Sequence, residues 1–366
     1  MHSPQLTADE IIRLRAYLLD HWQAPEQYIV GLFRTRDVVL LAEDHAIRHN
    51  LMLAQSLIPA LYAAGVANFG MEFGAVEDQA ALDALVTGER YDEEIARRLM
   101  FNYNTGWAFR EYMDIYRAAW MFNRTLPPNA RTFRVLNLSY RYDWTDAPVV
   151  RTPENARHIY HRGPVDVFRA EVVRREVLDR GEKILILTGT PHAFTSYRIP
   201  FYDFNAPDFV RWEDRNLGQL LYKLAPDRVA CVLLHQAFSS RLHGGARRVY
   251  PARGAIDQVM AGLSDRRVGF DLAGSPFGGL PDDSYYATGY EDFRLGRLAD
   301  GYVYDRPFAE FESCTLDEAF LTENNWPEAQ RQFPDPDWHP RPATMEEYWA
   351  QIRAYADVPS RYAALR

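Results

Sequence analysis

The sequence predicts an α/β protein with a mostly parallel central sheet flanked by helices, and three observations carry that prediction. Short apolar runs rich in β-branched residues recur at Val38–Ala42, Ala67–Phe73, Thr132–Leu138, Lys183–Thr188 and Arg228–Leu234, the pattern of strands covered on both faces. Segments of helical periodicity separate them, which is how βαβ units read. Several runs stop on a polar or titratable residue, at the sheet edge where open α/β folds present ligand sites.

The elements follow in order. Residues 1–29 form a helical appendage, with Thr7 as cap and Glu10 three residues on, a capping box. The first strand ends in Glu43-Asp44-His45, and a helix from about Arg48 to Ala64 closes on Gly65 in the C-cap place. The second strand ends in Met71-Glu72-Phe73-Gly74; helical stretches at about 77–87 and 91–123 follow, the latter closed by Pro127-Pro128. After the third strand come a polar, proline-bearing loop (143–157) and a helix at 165–180. The fourth strand ends in Gly189-Thr190-Pro191-His192; a helix at 217–224 precedes the fifth, which ends in His235-Gln236. Residues 240–298 are rich in Gly, Asp and Tyr and read as a loop or lid. A last strand spans 299–304, an extended crossing 326–342 and a terminal helix 344–355. Both halves run strand, xxHis, helix, strand, polar end, the pattern of an internal duplication. The expected organisation is an appendage (1–29), one large α/β domain (30–322) with a helical insert at about 91–123, and a C-terminal extension (323–366).

Composition sets limits. The 366 residues carry 41 Lys+Arg against 50 Asp+Glu, a formal charge of −9, with no basic run, so a nucleic-acid partner, which needs a basic stripe, is not expected. Two cysteines exclude a disulfide framework or a Cys-based zinc site. No secretory leader and no apolar stretch of membrane-spanning length stand out, so the expected compartment is the cytoplasm and no membrane partner is expected. Gly-x-Ser-x-Gly, P-loop and strand-linked Gly-x-Gly-x-x-Gly motifs are absent, which removes serine-hydrolase and nucleotide readings.

The chemistry concentrates at the strand ends. Glu43 stands two residues from His45, where a carboxylate fixes an imidazole's tautomer. His45 and His49 are four apart, one face of a helix if both are helical. Glu72 lies in an apolar strand, where an ionised carboxylate needs a partner; Arg141 or Arg198 would make it a structural salt bridge. His192 follows a glycine turn, and His235 ends the fifth strand. The aromatic insert, Trp107 included, can line a pocket or simply be helical core.

The order Ala-Glu-Asp-His after one strand, Gly-Met-Glu after the next and a late Gly-Thr-Pro-His resembles the erythromycin esterase, ChaN-like and TIKI/TraB superfamily, with residues 37–74 and 183–193 carrying most of the likeness. Ala42 stands where that family usually has glycine, although Glu43 and His45 keep their places. The resemblance implies His45 as general base or metal ligand, Glu43 as its orienting partner, Glu72 as a second carboxylate and His192 as a ligand or oxyanion stabiliser; His45, Glu72 and His192 are the candidate metal set. His49, His235, Arg141 and Trp107 are assigned to substrate or ligand contact. The expectation is a hydrolase acting on an ester, amide or related bond of a small molecule. The alternative is a non-catalytic haem- or metal-binding protein, and the cofactor expectation is a divalent metal ahead of haem.

Overall fold

The computed structural model describes residues 6–145, 152–202, 209–241, 247–263, 267–335 and 340–365. Parts of the loops expected at 143–157, 240–298 and 326–342 lie outside the described residues. The strands are β1 (Val38–Glu43), β2 (Asn68–Ala75), β3 (Arg134–Ser139), β4 (Ile184–Gly189), β5 (Ile199–Tyr202), β6 (Phe209–Glu213), β7 (Val229–Leu234), β8 (Phe238–Ser239), β9 (Arg248–Val249), β10 (Val268–Asp271) and β11 (Gly301–Tyr304). Seven of them make a sheet in the order β10-β11-β7-β1-β4-β2-β3. β1 with β7, β7 with β11, and β2 with β3 pair in parallel, and the edge strand β10 pairs antiparallel with β11. The fold class is α/β with a mostly parallel sheet, as the apolar runs require: every residue of β1, β4 and β7 is buried. Each buried Val, Leu or Ile contributes about 1.5–3 kcal/mol.

The chain divides into two compact units interleaved in sequence: Met1–His45 with Leu187–Glu312 and Pro359–Arg366, and Ala46–Ile186 with Ser313–Val358. In the first, the helix Ala8–Asp20 starts with the Thr7–Glu10 capping box, and the helix Leu217–Leu224 carries a second one between Asn216 and Gln219. β5 with β6 and β8 with β9 form two small antiparallel ribbons. In the second unit, Asp92 caps the helix Glu93–Tyr103 and Thr344 caps Met345–Ala356.

Several elements differ from the sequence expectation for local reasons. The helix expected at 48–64 is two, Arg48–Ser56 and Ile58–Ala63, divided just before Pro59, which lacks a helical N–H. The insert at 91–123 splits into Glu93–Tyr103 and Arg110–Asn123. The region read as a lid holds a helix, Ala255–Met260, and the strand β10. The expected crossing at 326–342 begins with a helix, Trp326–Arg331, whose Pro327 sits in the first turn, where proline is tolerated. Among the described residues no helix is long and apolar enough to cross a membrane.

Candidate functional site

In the first unit, β1 delivers Glu43 and His45 to its carboxyl end. Glu43 Oε1 lies 3.1 Å from His45 Nδ1; the Glu43 side chain is wholly buried and that of His45 is 25% exposed. An ionised carboxylate only accepts, so with Glu43 ionised the contact calls for the hydrogen on Nδ1 and leaves Nε2 as the basic nitrogen. The backbone around the pair is tied down. Thr190 Oγ1 is 3.0 Å from the Glu43 carbonyl and 2.7 Å from Gln236 Oε1, and Gln236 Nε2 donates to the carbonyls of Ala42 and Leu234 at 3.0 Å. Arg361 donates to the His45 carbonyl at 2.5 Å, and the Tyr362 hydroxyl donates to Asp44 Oδ2 at 2.8 Å.

Gly189, at the end of β4, is what lets this cluster close. A Cβ there would sit 2.9 Å from His45 Cε1, 3.0 Å from Nε2 and 3.5 Å from His192 Cδ2. The two imidazoles therefore flank one glycine, no further apart than those short distances together allow. The backbone at Gly189 has φ −56°, ψ 143°, open to any residue, so glycine is required for space alone.

His235, at the end of β7, is 1% exposed. Its Nδ1 is 2.7 Å from the Tyr302 hydroxyl, its Nε2 is 3.2 Å from Asp257 Oδ1, and its ring stacks on Phe308 at 4.3 Å.

In the second unit, Glu72 lies in β2, 4% exposed. Its ionic neighbour is neither Arg141 nor Arg198 but Arg169, with Nη1 at 3.9 Å from Oε2. Arg169 also donates to Asp166 Oδ1 at 2.9 Å, Ser139 Oγ at 2.9 Å and the Tyr103 hydroxyl at 3.3 Å. Burial opposes the guanidinium charge, yet Tyr142, Glu72, Tyr103 and Asp166 more than offset it and raise the Arg169 pKa. Burial pushes the Tyr103 hydroxyl well up, so it stays protonated. Arg141 pairs with Asp78 instead and borders a cavity of about 310 Å³ with Tyr103 and Tyr142. Arg198 lies over the Trp212 ring in the first unit.

His49 does not share a helical face with His45. The helix begins at Arg48, His45 stands in the preceding turn, and Ala46 takes a left-handed φ of 65°, which interrupts the spacing rule. His49 is buried in the second unit. Trp107 stacks on Phe73 at 4.6 Å and borders an apolar cavity of about 640 Å³.

Among the described residues no group of three or more His, Cys, Asp or Glu side chains is placed to hold a metal ion. The donor set His45, Glu72 and His192 thus gains no support from the geometry. Arg169, Tyr302, Asp257 and Arg361 were not signalled by the sequence, because each reaches its partner from a distant segment. Gly189 was visible, as the glycine that opens Gly-Thr-Pro-His.

No family model matches the sequence, and no curated protein does. Solved structures do. A Bacillus cereus protein covers 86% of this chain and 100% of its own, with a TM-score of 0.56 at 11% identity. A variant of the erythromycin esterase EreC, in its open conformation, covers 81% of this chain and 94% of its own, at 0.51 and 11%. ChaN of Campylobacter jejuni, described with cofacial haem binding, covers 58% and 86%, at 0.37 and 15%. The chain thus shares its fold with the Bacillus cereus protein and with EreC, and identities this low speak for the fold alone.

Proposed function

We propose that this protein hydrolyses an ester, amide or related bond of a small molecule, with the Glu43–His45 pair activating water. The observation that carries the proposal is the buried Glu43 carboxylate 3.1 Å from His45 Nδ1, on an imidazole packed so closely against Gly189 that a methyl group there would strike it. The esterase among the fold neighbours is consistent with this chemistry.

The steps follow from the atoms. Glu43 accepts the Nδ1–H and holds the ring in one tautomer. Nε2 takes a proton from water as its oxygen attacks the carbonyl carbon, and the resulting imidazolium is stabilised by the Glu43 carboxylate. His192, whose Cδ2 lies 3.5 Å from the Cβ position at Gly189, donates to the developing oxyanion. Collapse of the tetrahedral intermediate breaks the bond to the leaving group, which takes the proton back from Nε2. In the second unit, Trp107 and Arg141 border cavities within or near the range that holds small molecules; we propose them as ligand contacts, and Glu72 as a buried carboxylate held by Arg169.

The test is turnover of a panel of p-nitrophenyl esters and anilides. His45→Ala should lower kcat by about 10²–10⁴-fold, the range for a general base, and Glu43→Gln by a smaller factor. Unchanged turnover in His45→Ala, with a substrate that the native chain hydrolyses, overturns the assignment.

A further inference from the structure

Within the first unit, a cavity of about 720 Å³ opens beside the carboxyl end of β11. The proposed hydrolysis makes no use of it. Its charges do not cancel. Arg267 Nε donates to Asp305 Oδ2 at 3.0 Å and its Nη2 is 3.0 Å from Glu26, while Arg306 Nε lies 3.6 Å from Asp305. Both arginines that border the cavity are therefore neutralised by Asp305 and Glu26, and Asp257 and Glu310 remain as its acidic groups.

Asp257 is approached from behind by His235. The His235 Nδ1 lies 2.7 Å from the buried Tyr302 hydroxyl, and its Nε2 lies 3.2 Å from Asp257 Oδ1 but without hydrogen-bond alignment. Asp257 Oδ2 is also buried with no hydrogen-bond partner among the described residues. Buried polar atoms of native proteins find partners, yet on residues that border the cavity Asp257 Oδ2 and Arg306 Nε have none among the described residues. The rest of that wall is aromatic: Tyr250, Tyr304 and Phe308 border the cavity, with Tyr250 and Phe308 stacked at 5.1 Å.

A carboxylate with an unused acceptor, next to aromatic faces, matches one ligand chemistry. A protonated amine donates to the carboxylate and sits against ring faces, and its apolar body covers the remaining wall. We propose that this cavity is a binding site for a small organic amine, with Asp257 as the anchor of the ammonium group and Tyr304 and Phe308 as the aromatic wall. The site is built from residues other than Glu43, His45 and His192, so it stands or falls separately from the hydrolytic reading.

The test is titration calorimetry on the full chain with benzylamine, with benzyl alcohol and benzoate as its neutral and anionic counterparts. Benzylamine should bind saturably, and more tightly than either counterpart. Asp257→Asn should weaken it at least tenfold, Tyr304→Leu should weaken it by a smaller factor, and His45→Ala should leave it unchanged. Thermal unfolding establishes that each variant folds; should Asp257→Asn not fold, Tyr304→Leu decides. Equal binding of benzyl alcohol or benzoate overturns the proposal, as does undiminished binding by a folded Asp257→Asn or by Tyr304→Leu. Absence of any saturable heat with benzylamine overturns it as well.

Discussion

Gly189→Ala isolates the geometry on which the hydrolytic reading depends. The added methyl group would lie 2.9 Å from His45 Cε1 and 3.0 Å from Nε2, whereas carbon atoms in good contact are about 3.5–4.0 Å apart. Relief therefore requires about 0.5–1 Å of movement, and the groups available to move are the His45 ring and the end of β4. The φ and ψ at this position suit alanine, so backbone strain adds nothing. Overpacking costs about 1–3 kcal/mol, and the low end applies, because the His45 side chain is 25% exposed and can swing outward. Swinging outward stretches the 3.1 Å contact with Glu43 that sets the tautomer. A misplacement of about 1 Å in a catalytic group costs on the order of 10²-fold in rate, so kcat should fall by about 10–100-fold while the unfolding midpoint in urea moves little. The assay is p-nitrophenyl ester turnover on protein whose folded fraction is measured in parallel. Turnover within twofold of the native chain refutes the reasoning, and so does a loss no larger than the loss of folded protein.

Other variants probe the supporting structure. Arg169→Met leaves Glu72 and Asp166 buried without their cation and should destabilise the chain by about 3–5 kcal/mol, the cost of breaking a buried ion pair, as read by urea unfolding. Gly269→Ala drives a methyl group into Tyr28, with Cβ and Cγ at 2.5 and 2.6 Å, and should cost about 1–3 kcal/mol, with a lower melting temperature as the readout. Asp282 has its carboxyl pKa raised by burial, which outweighs hydrogen bonds from Ser284 Oγ and the N–H groups of Ala252 and Ser284. Its folded-state pKa thus exceeds the unfolded one, so its contribution to stability is greatest below the unfolded value and is lost as pH rises through the folded one. Asp282→Asn should flatten the stability profile in that window, and an unchanged profile across acidic pH would count against the burial argument.

Local pattern made the sheet legible, and distance made its partners illegible. β1, β4 and β7 are covered on both faces, so burial is written into each as an unbroken apolar run and needs no knowledge of the rest of the chain. β10 is Val-Gly-Phe-Asp, four residues with a glycine inside, and its identity as a strand comes from the antiparallel ladder with β11. Glu43 and His45 could be paired on paper because they are two residues apart on one strand end. Glu72 could be recognised as needing a cation, but nothing in its neighbourhood marks Arg169 above Arg141 or Arg198, since that choice is made by how the helix Val165–Glu176 packs on β3, the neighbour of β2.

The positions around His45 show where spacing rules stop. A helix from residue 45 onward would have put His45 and His49 on one face, and no proline or glycine intervenes to forbid it. The break is made by Ala46, a residue of high helix propensity held at φ 65°, a conformation that costs an alanine about 1–2 kcal/mol. Two hydrogen bonds offset that cost: the Ala46 N–H donates to the Tyr112 hydroxyl at 3.2 Å, and its carbonyl accepts from the Cys314 N–H at 2.9 Å. Gly189 is the reverse case, a glycine in an ordinary conformation, kept because an imidazole occupies the place of its side chain. Strain tolerated at one position and space reserved at the other both act on the same histidine. A glycine at 46 would relieve the first and a smaller residue than histidine at 45 would remove the need for the second, so both features bear on the residue to which we assign the proposed hydrolysis.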